Sequence, residues 1–268
     1  MKRLLQISNA VALIFTIVIN YLSNSGAFNG NTVADISDKY HNYFTPAGYA
    51  FSIWGVIYIG LLGFVFYTGG SLFKKSQDHN TLENDVILKI GWWFVITCIG
   101  NSFWIVAWLY GYLGITVILM LIILFSLSRI IINTRMELDF HPIKKYLFIF
   151  WPFAIYAGWI SVALIANLAA WLTKIEWNGW GISQSTWTII MIVVAGAINI
   201  FMIWKRNLRE YGLVGVWALV AIAVANWDDI KPIVYSSIIV AAIIFINISI
   251  HALKNRRNHE NKGHHGLI

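Results

Sequence analysis

The sequence predicts an all-α protein, a polytopic membrane bundle of about eight transmembrane helices, on three observations. Of its 268 residues 59% are hydrophobic and only 12% charged, with a mean hydropathy of +0.68. A soluble domain carries roughly 25% charged residues, so this chain has half the charge that a water-facing surface needs. Apolar runs near 20 residues, the length that crosses a bilayer as a helix, recur along almost the whole chain. They lack the period-two alternation of an outer-membrane barrel. The third observation is that Lys and Arg alternate between successive connections.

The elements follow in order. The first span, 5–24, comes directly after Met1-Lys2-Arg3. It reads as a retained helix rather than a signal peptide, because its removal would leave seven spans and an external N-terminus. A long loop, 26–45, leads to the second span, 48–69. The third, 86–108, and the fourth, 113–132, are separated by a short turn. The fifth runs over 147–171. Three more follow at 186–204, 211–226 (the shortest) and 232–252. A polar tail with His259, His264 and His265 ends the chain, and its composition reads as solvated and disordered. The organisation expected is a five-helix core over 1–172, three additional helices over 173–253 and a tail over 254–268.

With eight spans both termini share a side. Every Lys and Arg then falls on that side except Lys39, Lys174 and Lys231, out of 19. Lys/Arg bias marks the cytoplasmic face, so the net charge of +7 is accounted for by topology and not by a nucleic-acid partner. The expected location is a bacterial inner (plasma) membrane with both termini cytoplasmic. The single cysteine, Cys98, sits within an apolar run. It allows no intrachain disulfide and no thiolate metal site.

What the spans lack narrows the function. Ionisable residues within a membrane mark ion paths, proton relays and counter-ions. Here every acidic residue falls in a loop or tail, and Lys89 and Arg129 lie near helix ends where they can snorkel. No H-E-x-x-H motif and no intramembrane Ser/His/Asp set occurs, and the last span has no Lys for a retinal Schiff base. Proton-coupled transport, intramembrane hydrolysis and rhodopsin-like photochemistry lose support. The polar residues that do enter the spans are mostly Asn, Ser and Thr. For Asn199 and Asn247 interhelical hydrogen bonding is the reading, worth about 0.6 kcal/mol each.

The chain holds 14 Trp, 12 Tyr and 16 Phe. Trp108, Trp151, Trp171, Trp187, Trp204 and Trp227 sit near span ends and read as interfacial belts. Trp54, Trp104 and Trp159 lie deeper. Trp159, Ala163, Asn167 and Trp171 recur at i, i+4 and share one helix face. At 1.5 Å per residue, Trp54, Asn101 and Ala163 lie about 9, 10 and 12 Å below the outer ends of their spans. They therefore share the outer half of the bilayer, under the long loop. A small residue, flat apolar rings and a few amides make a pocket for a flat, largely apolar ligand. Ordinary helix packing uses the same residue types.

Three stretches resemble the tryptophan-rich sensory protein family, also called the translocator protein or peripheral-type benzodiazepine receptor family. The second span carries Thr45-Pro46 and then Phe51, Trp54 and Tyr58, similar to that family's Pro-Pro, Phe and Trp-x-x-x-Tyr segment. The third carries Asn101 and Trp104, similar to its Asn-x-x-Trp. The fifth carries Tyr156, Trp159, Ala163, Asn167 and Trp171 at the family's spacing. The resemblance covers about residues 1–172. It departs at Thr45, where the family has proline, at Ile155, where a proline precedes the Tyr, at Phe51, which is one position off, and in the three added helices. It implies a membrane sensor or receptor for a flat hydrophobic ligand, a porphyrin or haem or similar, held between the second, third and fifth spans by Trp54, Tyr58, Asn101, Trp104, Tyr156, Trp159, Ala163 and Asn167. A transporter or permease for a small neutral or hydrophobic molecule is the alternative. A membrane enzyme acting on porphyrins, with aromatic residues in place of acids, is a third class. No cofactor or metal is required. The partners expected are the bilayer, the small ligand and, in a homodimer, a second copy; nucleic acid is not among them.

Overall fold

The computed structural model describes residues 1–72, 81–139 and 141–264, with side chains left out at 71, 81–85 and 256–264. The expected cytoplasmic Lys74 and Lys75 and the tail's His265 lie outside the described residues. The side chains of Arg256, Arg257, His259, Lys262 and His264 are likewise not described.

Among the described residues the secondary structure is helical throughout, in agreement with the expected all-α bundle. Helix α1 (Lys2–Asn24) is followed by a short α2 (Val33–Lys39). A single-turn 3-10 segment, Gly48–Ser52, feeds α3 (Ile53–Gly69). Then come α4 (Thr81–Ile90), α5 (Trp93–Leu109) and α6 (Leu113–Asn133). A one-turn α7 (Ile143–Lys145) and a π turn (Tyr146–Phe150) run into α8 (Trp151–Lys174). Helices α9 (Gln184–Arg206), α10 (Arg209–Ala225) and α11 (Lys231–His264) complete the chain. Among the described residues six helical stretches are long and apolar enough to cross a membrane: Lys2–Asn24, Gly48–Gly69, Leu113–Asn133, Ile143–Lys174, Gln184–Arg206 and Lys231–Asn255. The remaining two expected spans correspond to α5 and α10, of 17 residues each. Each is about 26 Å long, a little under the hydrocarbon thickness of about 30 Å.

Four expectations are corrected. The third span is not one helix over 86–108: it breaks between α4 and α5 at Gly91, whose φ of +56° is the left-handed conformation that ends a helix. The long loop is not irregular throughout. Its α2 is started by Thr32, whose hydroxyl accepts from the Asp35 amide while the Asp35 carboxylate accepts from the Thr32 amide at 2.7 Å. The fifth span begins earlier and contains a π turn just before Pro152. Proline offers no N–H to the carbonyl four residues back, and a local change of register accommodates the loss. The tail is not disordered from residue 254: α11 continues to His264, since Lys254–Lys262 is made of helix formers and polar residues with no Gly or Pro.

Helices α1, α3, α5, α6 and α8 form one packed group, with α1 on α5 and α3, α6 against α5 and α8, and α3 on α8. Helices α9, α10 and α11 pack together, and α10 joins the two groups through α8. That junction is close. A Cβ at Gly158 of α8 would lie 2.9 Å from the Tyr211 carbonyl oxygen and 3.1 Å from Val214 Cβ. The Tyr211 hydroxyl donates to Ser161 Oγ at 2.6 Å one turn further on. Helix α3 reaches α8 in the same way at Gly60, where a Cβ would stand 3.1 Å from Pro152 Cβ.

Candidate functional site

The site lies at the α2 end of the first group, where α3, α5, α6 and α8 converge under the loop. Helix α8 presents Trp159, Val162, Ala163, Ala166, Asn167 and Ala170 along one face, and small side chains at three of these positions leave space. Helix α5 adds Trp104 and Trp108, α6 adds Met120, and the segment opening α3 adds Phe51 and Trp54. Val33 and Ser37 of α2, with Thr45 and Pro46, form the roof. These residues enclose a cavity of about 50 Å³. A drug-sized ligand pocket is about 300–1,000 Å³, so the arrangement is closed around a void of a few atoms.

Of the eight residues singled out in the sequence, the structure brings Trp54, Trp104, Trp159, Ala163 and Asn167 to this cavity. Tyr58, Asn101 and Tyr156 stand behind the Trp54 ring instead. Tyr58 stacks on it at 5.6 Å between centroids and Tyr156 meets it edge-on at 5.8 Å. The Asn101 side-chain oxygen accepts from Asn20 Nδ2 at 3.0 Å and from the Tyr58 hydroxyl at 3.4 Å, tying α5 to α1 and α3. Asn101 acts there as a joint between helices.

Asn167 lines the cavity with its hydrogen bonds already committed. Its Oδ1 accepts from Trp104 Nε1 at 2.8 Å, and its Nδ2 donates to Thr116 Oγ1 at 2.8 Å. The Thr116 hydroxyl in turn donates to the Leu113 carbonyl at 2.6 Å. This relay fastens α5, α8 and α6 together. Trp159 differs. It is 2% exposed, meets Phe51 edge-on at 6.0 Å, and its buried indole N–H has no hydrogen-bond partner.

Residues that the sequence reading missed complete the site. Trp108 is not an interfacial residue: it is 6% exposed, stacks on Trp104 at 5.7 Å and donates from Nε1 to the Val33 carbonyl of the roof at 3.1 Å. Phe51, Met120, Val162, Ala166 and Ala170 also line the cavity. The i+7 step from Ala163 to Ala170 was a readable signal for one of them; the covering of Trp108 by α2 depends on a loop fold that no spacing announces.

Of the two amides assigned to interhelical bonds, Asn247 of α11 accepts from Trp204 Nε1 of α9 at 2.9 Å. Asn199 does not cross. Its Nδ2 donates to Ala195 O of its own helix at 2.8 Å, because Gly215 of α10 packs directly against the amide.

A set of long apolar helices, buried rings and amides bonded between helices defines a polytopic integral membrane protein. The chain belongs to the TSPO-like protein family, whose model matches residues 6–250. The match reaches past the three motif-bearing spans and takes in α9, α10 and most of α11. No curated protein and no solved structure matches the chain.

Proposed function

We propose that the protein is a membrane receptor or sensor for a flat, largely apolar ligand of the tetrapyrrole class, bound between α3, α5 and α8. The observation that carries the reading is the buried, unpartnered indole N–H of Trp159 in an aromatic wall with Trp54 and Trp104. A buried donor without a partner costs about 1–3 kcal/mol, which a ligand acceptor recovers. A void of about 50 Å³ requires the roof to lift before such a ligand enters. The eight residues named from the sequence divide into a contact set (Trp54, Trp104, Trp159, Ala163, Asn167) and a supporting set (Tyr58, Asn101, Tyr156). Porphyrin or haem acts as ligand and not as a required cofactor. The five helices up to residue 172 form the ligand-binding core.

Titration of purified protein with protoporphyrin IX, read by tryptophan quenching and melting temperature, tests this. Saturable binding that is lost in Ala163→Phe supports it, and a wild type that binds neither porphyrins nor sterols rejects it. The small size of the cavity favours one second reading, passage of a small neutral molecule; uptake into proteoliposomes without porphyrin binding would select it. The distribution of basic residues supports a bacterial plasma membrane location with both termini cytoplasmic. Reporter fusions after Lys145 and Arg206 are then cytoplasmic and those at Lys39 and Lys174 external, and the reverse pattern would invert the assignment.

A further inference from the structure

A larger space lies outside the core site. Helix α10 packs on both α8 and α9, and between α8 and α9, at the same end of the bundle as α2, opens a cleft of about 700 Å³. That volume falls within the range of small-molecule sites, and it is far larger than the void in the core. Its deep wall is apolar, built from Ile165, Leu168 and Leu172 of α8 and Met191 of α9. The connection between the two helices closes one end with the polar Glu176, Asn178 and Gln184, and Asn42 and Phe44 of the segment before α3 complete the lining. Glu176 is the one charged residue of the lining.

Three tryptophans stand beside it. Trp177, Trp180 and Trp187 pack ring against ring with centroids 5.3–5.9 Å apart. The cluster is fixed from below by Trp187 Nε1, which donates to the Gly179 carbonyl at 2.8 Å. Trp180 takes a left-handed backbone (φ 54°) and is 77% exposed. A bulky residue in that conformation is strained, and such strain gathers at ligand clamps.

We propose that this cleft is a second binding site, for an amphiphile with a long apolar body and a cationic ammonium head. The body lies along the α8 and α9 walls and the head sits at the polar end, against the Glu176 carboxylate and the tryptophan faces. Two features of the lining select the head. A carboxylate attracts a cation and repels an anion, and indole faces attract ammonium groups through the ring quadrupole. The selection is local, because the whole chain carries a net charge of +7 and its general field favours anions. No residue lines both this cleft and the core cavity, although Phe44 of the cleft directly precedes Thr45 of the core roof.

The test uses the full chain in a neutral maltoside detergent, with hexadecyltrimethylammonium added at low mole fraction and hexadecyl sulfate and hexadecanol as matched chains. Saturable stabilisation by the ammonium compound alone is expected. Glu176→Gln should weaken it by about threefold to tenfold, as should Trp180→Ala. Ala169→Trp, which fills the cleft from the α8 wall, should abolish it. Quenching of tryptophan by 12-bromododecyltrimethylammonium gives a second readout, expected to fall in the same variants. Equal stabilisation by all three chains would overturn the proposal in favour of unselective filling by lipid. So would undiminished ammonium binding in an Ala169→Trp protein that melts as the wild type does. If Ala169→Trp fails to fold, Glu176→Gln on the exposed connection decides the matter, and an unchanged affinity there rejects the site.

Discussion

The Asn167 amide is bonded on both sides, to Trp104 and to Thr116. Asn167→Leu keeps the branched shape but strands the Trp104 N–H, so a loss of about 1–2 kcal/mol is expected, near the upper end for interhelical bonds in membranes. A fall in melting temperature with little change in helicity is the measurement. Glu137 lies in the turn after α6, outside the spans, at a φ of +60°. Burial pushes its carboxyl up to about 8; the Glu210 charge adds to the rise and Arg209 opposes it. The folded protein therefore keeps a proton that the unfolded chain releases near pH 4.3. More protons bound in the native state means that stability declines as pH rises from about 4.3 to about 8 and is flat above that. Glu137→Gln cannot ionise and should flatten this decline. A melting temperature that falls equally steeply in the variant would assign the pH dependence elsewhere.

At the scale of elements, close approach between helices sets what can be changed. Gly158→Leu forces a side chain into the Tyr211 backbone, 2.9 Å from where its Cβ would lie, and disturbs the Tyr211–Ser161 bond. A loss of about 1–3 kcal/mol or more is expected from overpacking. Gly55→Ala on α3, with nothing within 4 Å, is the control, and should be neutral or stabilising by up to about 1 kcal/mol through helix propensity. The spans themselves were legible because hydrophobic run length is a long-range signal, summed over 20 residues. The break at Gly91 was not, although Lys89 and Gly91 are a helix-end signature: a two-residue signal was outweighed by the apolar run that continues through it. Helix α2 was missed for a similar reason, its capping box Thr32–Asp35 being short and set in a polar loop. In the site, the i, i+4 stripe on α8 located Trp159, Ala163 and Asn167, because one helix face is a property of spacing alone. The division of Tyr58, Asn101 and Tyr156 from the cavity depends on how α3, α5 and α8 are rotated against one another, which periodicity on each helix does not fix.

At the scale of the whole molecule, the two helix groups meet at the roof of the core cavity. The Ala47 amide donates to Ala221 O at 3.0 Å, Trp217 Nε1 to Ala50 O at 3.3 Å, and Asn226 Nδ2 to Tyr43 O at 3.0 Å. Tyr49 packs edge-on against Trp217 at 5.2 Å. Helix α10 thus holds the segment 43–50 from the C-terminal side, while Trp108 and Asn29 hold the earlier part of the loop to α5. The C-terminal helices are in this way mechanically part of the site without contributing a lining side chain to it. A Trp217→Phe, Asn226→Ala double variant removes two of the three bonds and leaves every cavity residue intact. Each bond is worth about 0.5–1.5 kcal/mol, so local opening of 43–50 should become about tenfold more frequent or more. Hydrogen exchange read by mass spectrometry should quicken there and remain unchanged in α5 and α6. If the roof must lift for a ligand to enter, association should quicken with it, while the contacts that set the affinity of the bound state stay the same. Exchange in 43–50 that is as slow as in the wild type would mean that α5 alone holds the roof, and that α10 is a neighbour of the site and not its latch.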